Sequence, residues 1–170
     1  MKALIFGTIL FDVFPDEVLI GGCSTNVASH CGLLGAETTH LSRIGDDELG
    51  RLALAHFRRL GVDTGFVTVD PDHATGRVDV TVNAAGQPEY ILSTAAAYEF
   101  IALGDAETAA IASRGHDFIY LGTVNQRGPV SDATLRRLLD AGSFGPVFFV
   151  SNLRDDCSLP DSRRVAPQRQ

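Results

Sequence analysis

Basic residues are in deficit, cysteines are few and odd in number, and no long apolar run occurs. Lys and Arg number 14 against 21 Asp and Glu, giving a formal net charge of −7. A chain of that sign carries no basic footprint for nucleic acid or anionic lipid, so neither is expected as a partner. No apolar stretch approaches the length needed to span a bilayer, so no membrane insertion is expected either. The opening Met1-Lys2-Ala3-Leu4-Ile5-Phe6-Gly7 meets glycine too early to be the apolar region of a signal peptide. Cys23, Cys31 and Cys157 form no C-x-x-C pair, and an odd count argues against a secreted disulfide framework. These absences point to a cytoplasmic protein with a small-molecule ligand.

A second set of absences concerns chemistry. The first strand is not followed by Gly-x-Gly-x-x-Gly, and no loop ends in Gly-Lys-Ser/Thr, which disfavours a nucleotide-binding oxidoreductase domain and a P-loop. No Gly-x-Ser-x-Gly elbow is present for a hydrolase. His30, His40, His56, His73 and His116 lack ligand spacing, and no cysteine stands where it would complete a zinc site. No metal ligands and no catalytic base are assigned.

What is present is the profile of a folded domain: 170 residues, 45% hydrophobic and 21% charged. Residues 2–6 read as a buried strand. Thr25 or Asn26 is expected to cap a helix running to about Leu34, with Val27, Cys31 and Leu34 on one face. Thr38 to Ile44 reads as a strand. Asp46 is then expected to cap an amphipathic helix with Leu49, Leu52, Ala53, His56, Phe57 and Leu60 on its stripe and Gly61 at its end. The alternation of Thr75 to Val82, a turn at Asn83 to Gly86, and Glu89 to Ser93 predict a hairpin, a candidate lid. Helix-like (105–114), strand-like (117–121), helix-like (131–141) and strand-like (146–150) segments follow. Such alternation implies a mostly parallel sheet with helices on both faces.

Three positions carry candidate binding chemistry. Gly21-Gly22 before a helix start can present backbone N–H groups to a polar ligand, or can be an ordinary turn. Asn26 at the helix entrance offers both a donor and an acceptor, which suits a sugar hydroxyl. Asp12 follows the first strand on the edge where open α/β sheets bind ligands, and can equally be a solvated loop carboxylate. The run Asp46-Asp47-Glu48 reads as a cap plus first-turn acids in preference to a metal site.

Taken together, these residues resemble the ribokinase-like (PfkB) carbohydrate kinases, and among them the fructokinase-like sugar kinases. The first strand with Gly7 and Asp12, the run Gly21-Gly22-Cys23-Ser24-Thr25-Asn26-Val27-Ala28 with Gly35, and Arg43-Ile44-Gly45-Asp46-Asp47-Glu48-Leu49-Gly50 carry the likeness. Leu60 to Thr64, Thr75-Gly76-Arg77-Val78, Tyr120-Leu121-Gly122-Thr123 and Phe148-Phe149 extend it to about residue 154. The resemblance implies an α/β, ribokinase-like three-layer sandwich with a small β-hairpin lid over residues 75–93. It implies that Asp12, Gly21, Gly22 and Asn26 hold sugar hydroxyls, and that Thr75, Arg77 and Tyr90 belong to a lid that can also form a homodimer contact. Asn152 and Arg154 would lie near the phosphate path, with ATP and Mg²⁺ as the phosphoryl donor and its ion.

The likeness has two departures. Val150-Ser151-Asn152-Leu153-Arg154 lacks the strand-end aspartate of Asp-Val-Asn-Leu-Arg, and the Asp-Thr-x-Gly-Ala-Gly-Asp type loop that supplies anion hole and base does not occur. The expectation is therefore a truncated domain over residues 1–154 followed by a frayed tail over 155–170. It would hold the sugar-binding half of an ATP-dependent kinase and be inactive alone; the alternative is a non-catalytic sugar-binding or regulatory module.

Overall fold

The structure, a computed structural model, describes residues 1–82 and 86–151. Two sheets are present. The larger contains β1 (Lys2–Phe6), β4 (Glu37–Gly45), β5 (Asp63–Asp70), β8 (Phe118–Gly122) and β9 (Val147–Val150), in the order β5-β4-β1-β8-β9. All its pairings are parallel. The smaller sheet contains β2 (Leu10–Val13), β3 (Val18–Gly21), β6 (Gly76–Val82) and β7 (Pro88–Leu92), in the order β3-β2-β6-β7. Helices α1 (Cys23–Leu33), α2 (Glu48–Arg59), α3 (Asp105–Ala112) and α4 (Pro129–Ala141) complete the fold.

Alternation along β1 explains the layering. Leu4 and Phe6 face one side with Leu41, Ile119 and Leu121, where Ile111 of α3 and Leu135 and Leu138 of α4 cover them. Ala3 and Ile5 face the other, packed with Ala28 of α1 and Ala53 and Phe57 of α2. Strands buried on both faces read as continuous apolar runs, which is why residues 2–6 were legible as a strand. The fold is the expected α/β three-layer arrangement around a mostly parallel sheet.

Four expectations need correction. The cap of α1 is neither Thr25 nor Asn26 but Gly22, which holds φ 95° and makes no side-chain cap; Thr25 spends its hydroxyl on the Thr8 carbonyl instead (3.1 Å). The cap of α2 is Asp47, not Asp46, and its carboxylate accepts from the Gly50 N–H at 2.8 Å. Leu34 and Leu52 are exposed, Leu34 because it is the cap residue just past α1 and Leu52 because it lies off the strip of α2 that meets the sheet. Finally, the lid is a four-stranded sheet in which the expected hairpin, β6 and β7, is extended by β2 and β3. Asp12 thus lies in a strand of that smaller sheet, not in a loop after β1.

Candidate functional site

The C-terminal end of β1 is where the two sheets meet. After Phe6 the chain turns at Gly7 into Thr8, whose carbonyl accepts from both Ser24 Oγ (2.9 Å) and Thr25 Oγ1 (3.1 Å) at the start of α1. The Thr8 and Ser24 hydroxyls are 3.0 Å apart; because Ser24 gives its proton to the carbonyl, Thr8 is the donor between them. Ser42 Oγ donates to the Gly7 carbonyl at 2.6 Å, tying β4 to the same turn. These buried hydroxyls fix the first turn of α1 over the sheet edge.

A cleft of about 160 Å³ opens at this junction. Its floor is the ends of β1 and β8 with Thr8, Tyr120, Gly122 and Thr123; one wall is the start of α1 with Gly22, Cys23, Ser24 and Asn26. Leu10 and Asp12 of β2, Val78 of β6 and Leu92 of β7 form the roof, and Val150 of β9 closes one side. Ligands of open α/β sheets bind outside the carboxyl ends of the strands, which is this position.

Asp12, Gly22 and Asn26, far apart in sequence, all line the cleft. Neither the Asp12 carboxylate nor the Asn26 side-chain amide has a hydrogen-bond partner among the described residues. Gly21 does not line the cleft; it stands opposite Leu10 on β3, where a Cβ would collide with the Asp12 carboxylate. The glycine pair thus serves two ends. Gly21 leaves room for the carboxylate, and Gly22 adopts a positive φ that an L side chain rarely tolerates.

The expected lid residues divide differently. Thr75 is buried and belongs to a clasp, not to the cleft. Its N–H and hydroxyl donate to the two oxygens of Asp47 at 2.7 Å each, and its hydroxyl accepts from the Gly45 N–H at 2.9 Å. Burial acts to raise the Asp47 carboxyl, but the Thr75 and Gly50 donors outweigh it and hold that group below the usual carboxylate range. Arg77 pairs with Asp79 on β6, and Tyr90 is more than half exposed on β7. The side chains over the cleft are instead Val78 and Leu92. Asn152 and Arg154, with the expected tail, lie outside the described residues.

Next to the clasp, Asp70 at the end of β5 is buried. Its oxygens accept from the N–H groups of Asp72 and His73 and meet Arg43 Nε at 2.8 Å and His73 Nδ1 at 3.1 Å. Burial alone would raise this carboxyl; the donors around it hold it low. Sequence reasoning missed the cleft residues Thr8, Ser24, Tyr120 and Thr123. Only the position of Thr123, just past the end of β8, gave a signal. Burial pushes the Tyr120 phenol up to about 12, with the nearby Cys23 thiol adding to the effect.

Comparison with known proteins identifies the family and the fold. The family model described as pfkB family carbohydrate kinase matches residues 15–168. Fructokinase-1 of Zea mays is 29% identical over 163 residues, covering 88% of this chain and 50% of the maize protein. Aminoimidazole riboside kinase of Salmonella typhimurium is 27% identical over 163 residues, covering 90% and 49%. Among solved structures, a sugar kinase of Pyrococcus horikoshii in complex with ATP superposes with a TM-score of 0.75 at 24% identity, covering 91% of this chain and 54% of the other. The chain spans about half the length of the curated relatives it matches.

Proposed function

The chain belongs to the pfkB carbohydrate kinase family, and from that premise we propose that it supplies the sugar-binding half of an ATP-dependent, fructokinase-like kinase. One observation carries the reading. A carboxylate, Asp12, and an amide, Asn26, neither with a hydrogen-bond partner among the described residues, meet beside the bare backbone of Gly22 in a single cleft. A carboxylate accepts two hydrogen bonds from vicinal hydroxyls, and an amide accepts one and donates another, a set that matches a polyol. The cleft, about 160 Å³, is compatible with a monosaccharide.

The described residues bind, orient and exclude water. The roof of Leu10, Val78 and Leu92 covers the ligand with apolar surface, so water, which competes for the transferred phosphoryl group, is kept away. ATP is the proposed donor and Mg²⁺ the proposed ion. Among the described residues no group of three or more His, Cys, Asp or Glu is placed to hold a metal, so the ion's ligands are not assigned to them. No side chain of the cleft is assigned as the base that takes the proton of the attacking hydroxyl.

These 170 residues alone are proposed to bind sugar without phosphorylating it, since the loop that carries base and anion hole in the resembling kinases does not occur in them. Titration calorimetry with fructose and ribose tests the first part. The expected outcome is binding that Asp12→Ala and Asn26→Ala each weaken; wild-type affinity in both variants would remove the reading. A coupled assay of ATP turnover over a sugar panel tests the second, and clear Mg²⁺-dependent turnover would overturn it. Homodimerisation through the lid is also proposed, because its outer strands expose Val18 and Leu19 on β3 and Tyr90 and Ile91 on β7. The low charge count of basic residues and the odd cysteine number support a cytoplasmic location. No helix among the described residues is long and apolar enough to cross a membrane.

A further inference from the structure

A third polar group in the cleft lacks a partner, and it comes from the floor. Tyr120 is the middle residue of β8 and only 4% exposed. Its strand neighbours Ile119 and Leu121 turn to the α3 and α4 side, whereas Tyr120 turns to the α1 side and reaches the cleft. Its ring packs among apolar residues such as Ile5, Ala28 and Phe11. Its hydroxyl has no hydrogen-bond partner among the described residues. The hydroxyl opens onto the cleft, where water satisfies it until a ligand displaces that water; a ligand that covers it without pairing with it leaves a desolvated phenol, a cost phenylalanine would not carry. The hydroxyl is therefore informative where the ring is not.

The neighbourhood narrows its role. The Cys23 side chain stands on the opposite wall of the same cleft, close enough for its charge to oppose ionisation of the phenol. The phenol therefore stays protonated and can both donate to and accept from a neutral oxygen. A cation or a carboxylate-only ligand would leave half of that capacity unused; a sugar hydroxyl uses both halves. Asp12 approaches from the roof, Asn26 from the wall and Tyr120 from the floor.

We infer that Tyr120 is a specificity-determining contact of the sugar, its hydroxyl pairing with a ligand hydroxyl on the side of the ring facing the main sheet. This rests on the sugar-binding reading of the cleft and adds to it the residue that distinguishes one face of the sugar. Apolar floors accept a deoxy position and a hydroxyl with little preference, whereas a buried unpaired phenol penalises a ligand that leaves it unpaired.

The chain offers a direct reporter, because it has no tryptophan and only three tyrosines, Tyr90, Tyr98 and Tyr120. Fructose and ribose would be titrated into the 170-residue chain and into Tyr120→Phe, Tyr90→Phe and Asp12→Ala. Calorimetry gives affinity, tyrosine difference absorption reports the phenol, and thermal melting checks the fold. The expected result is a sugar-induced tyrosine difference signal that survives Tyr90→Phe and vanishes in Tyr120→Phe. Affinity in Tyr120→Phe is expected to fall about three- to tenfold, the worth of one neutral hydrogen bond. Binding by the wild type with no tyrosine signal, or wild-type affinity in Tyr120→Phe while Asp12→Ala loses binding, overturns the Tyr120 inference alone. Wild-type affinity in both variants, or no binding of either sugar by the wild type, overturns the sugar-binding reading and this inference with it.

Discussion

His40 is the residue whose chemistry sits least comfortably in its surroundings. It lies on β4 opposite Ile5, fully buried, with neither ring nitrogen hydrogen-bonded among the described residues and its ring edge against Phe57 at 4.8 Å. Burial lowers its pKa from 6.5 to about 3. Between those values the unfolded chain takes up a proton that the folded chain refuses, so acid favours unfolding. Stability from this source is complete above about pH 6.5 and declines as pH falls toward 3. Thermal melts at pH 5 and pH 8 should show that His40→Leu raises the midpoint more at pH 5 than at pH 8. An equal shift at both would remove the proton-linked account. At Gly21, alanine would push the Asp12 carboxylate from its place. Gly21→Ala should weaken sugar binding by about tenfold or more, by analogy with loss of a charged hydrogen-bonding group. Calorimetry against the wild type checks this, and unchanged affinity would contradict it.

Among the elements, α2 was the most legible and the smaller sheet the least. The stripe of Ala53 and Phe57 and the following Gly61 identify α2 from local signals alone. Its cap was misplaced by one residue because Asp46 and Asp47 are chemically alike; only the three-dimensional position of Thr75 selects Asp47. Strands β2 and β3 are four residues each, and β3 carries the exposed Val18 and Leu19. Strand β3 pairs with β2, and β2 in turn pairs with β6, sixty and more residues away, a contact no local pattern encodes. The cleft was legible in its polar wall, since glycine and asparagine at a helix start announce themselves. Its floor was not, since Tyr120 in an apolar strand looks like core. The Asp47–Thr75 clasp yields a prediction of its own. Asp47→Ala removes a cap and two lid contacts together and should cost about 2 kcal/mol or more, given that caps alone are worth roughly 0.5–2 kcal/mol. Chemical denaturation measures it, and a loss under about 0.5 kcal/mol would mean the clasp contributes no more than a weak cap. Because the clasp holds its carboxyl low, this contribution is present above the ordinary carboxylate pKa and is lost as pH falls below it.

For the molecule as a whole, β9 forms one edge of the main sheet and is its weak margin. Phe148, Phe149 and Val150 are all exposed there, with Phe148 touching Phe118 edge-on at 5.3 Å. Natural edge strands are usually protected by charge, proline or a covering element, and an apolar edge recruits other chains. The 170-residue chain is expected to melt at a temperature that depends on its concentration and to associate in sedimentation runs. Phe149→Lys should reduce that association, and a monomeric melt independent of concentration in the wild type would refute the expectation.

The strand order of the main sheet also sets a timetable. Strand β1, made first, lies at the centre and needs β4 on one side and β8, as late as residue 122, on the other. A nascent chain therefore carries its central, most deeply buried strand half-uncovered for more than a hundred residues of synthesis. Parallel pairings of such long reach close slowly. The cleft waits longer still, because Val150 of β9 closes its side. The polar wall and roof emerge early, and the grip on a ligand is assembled last.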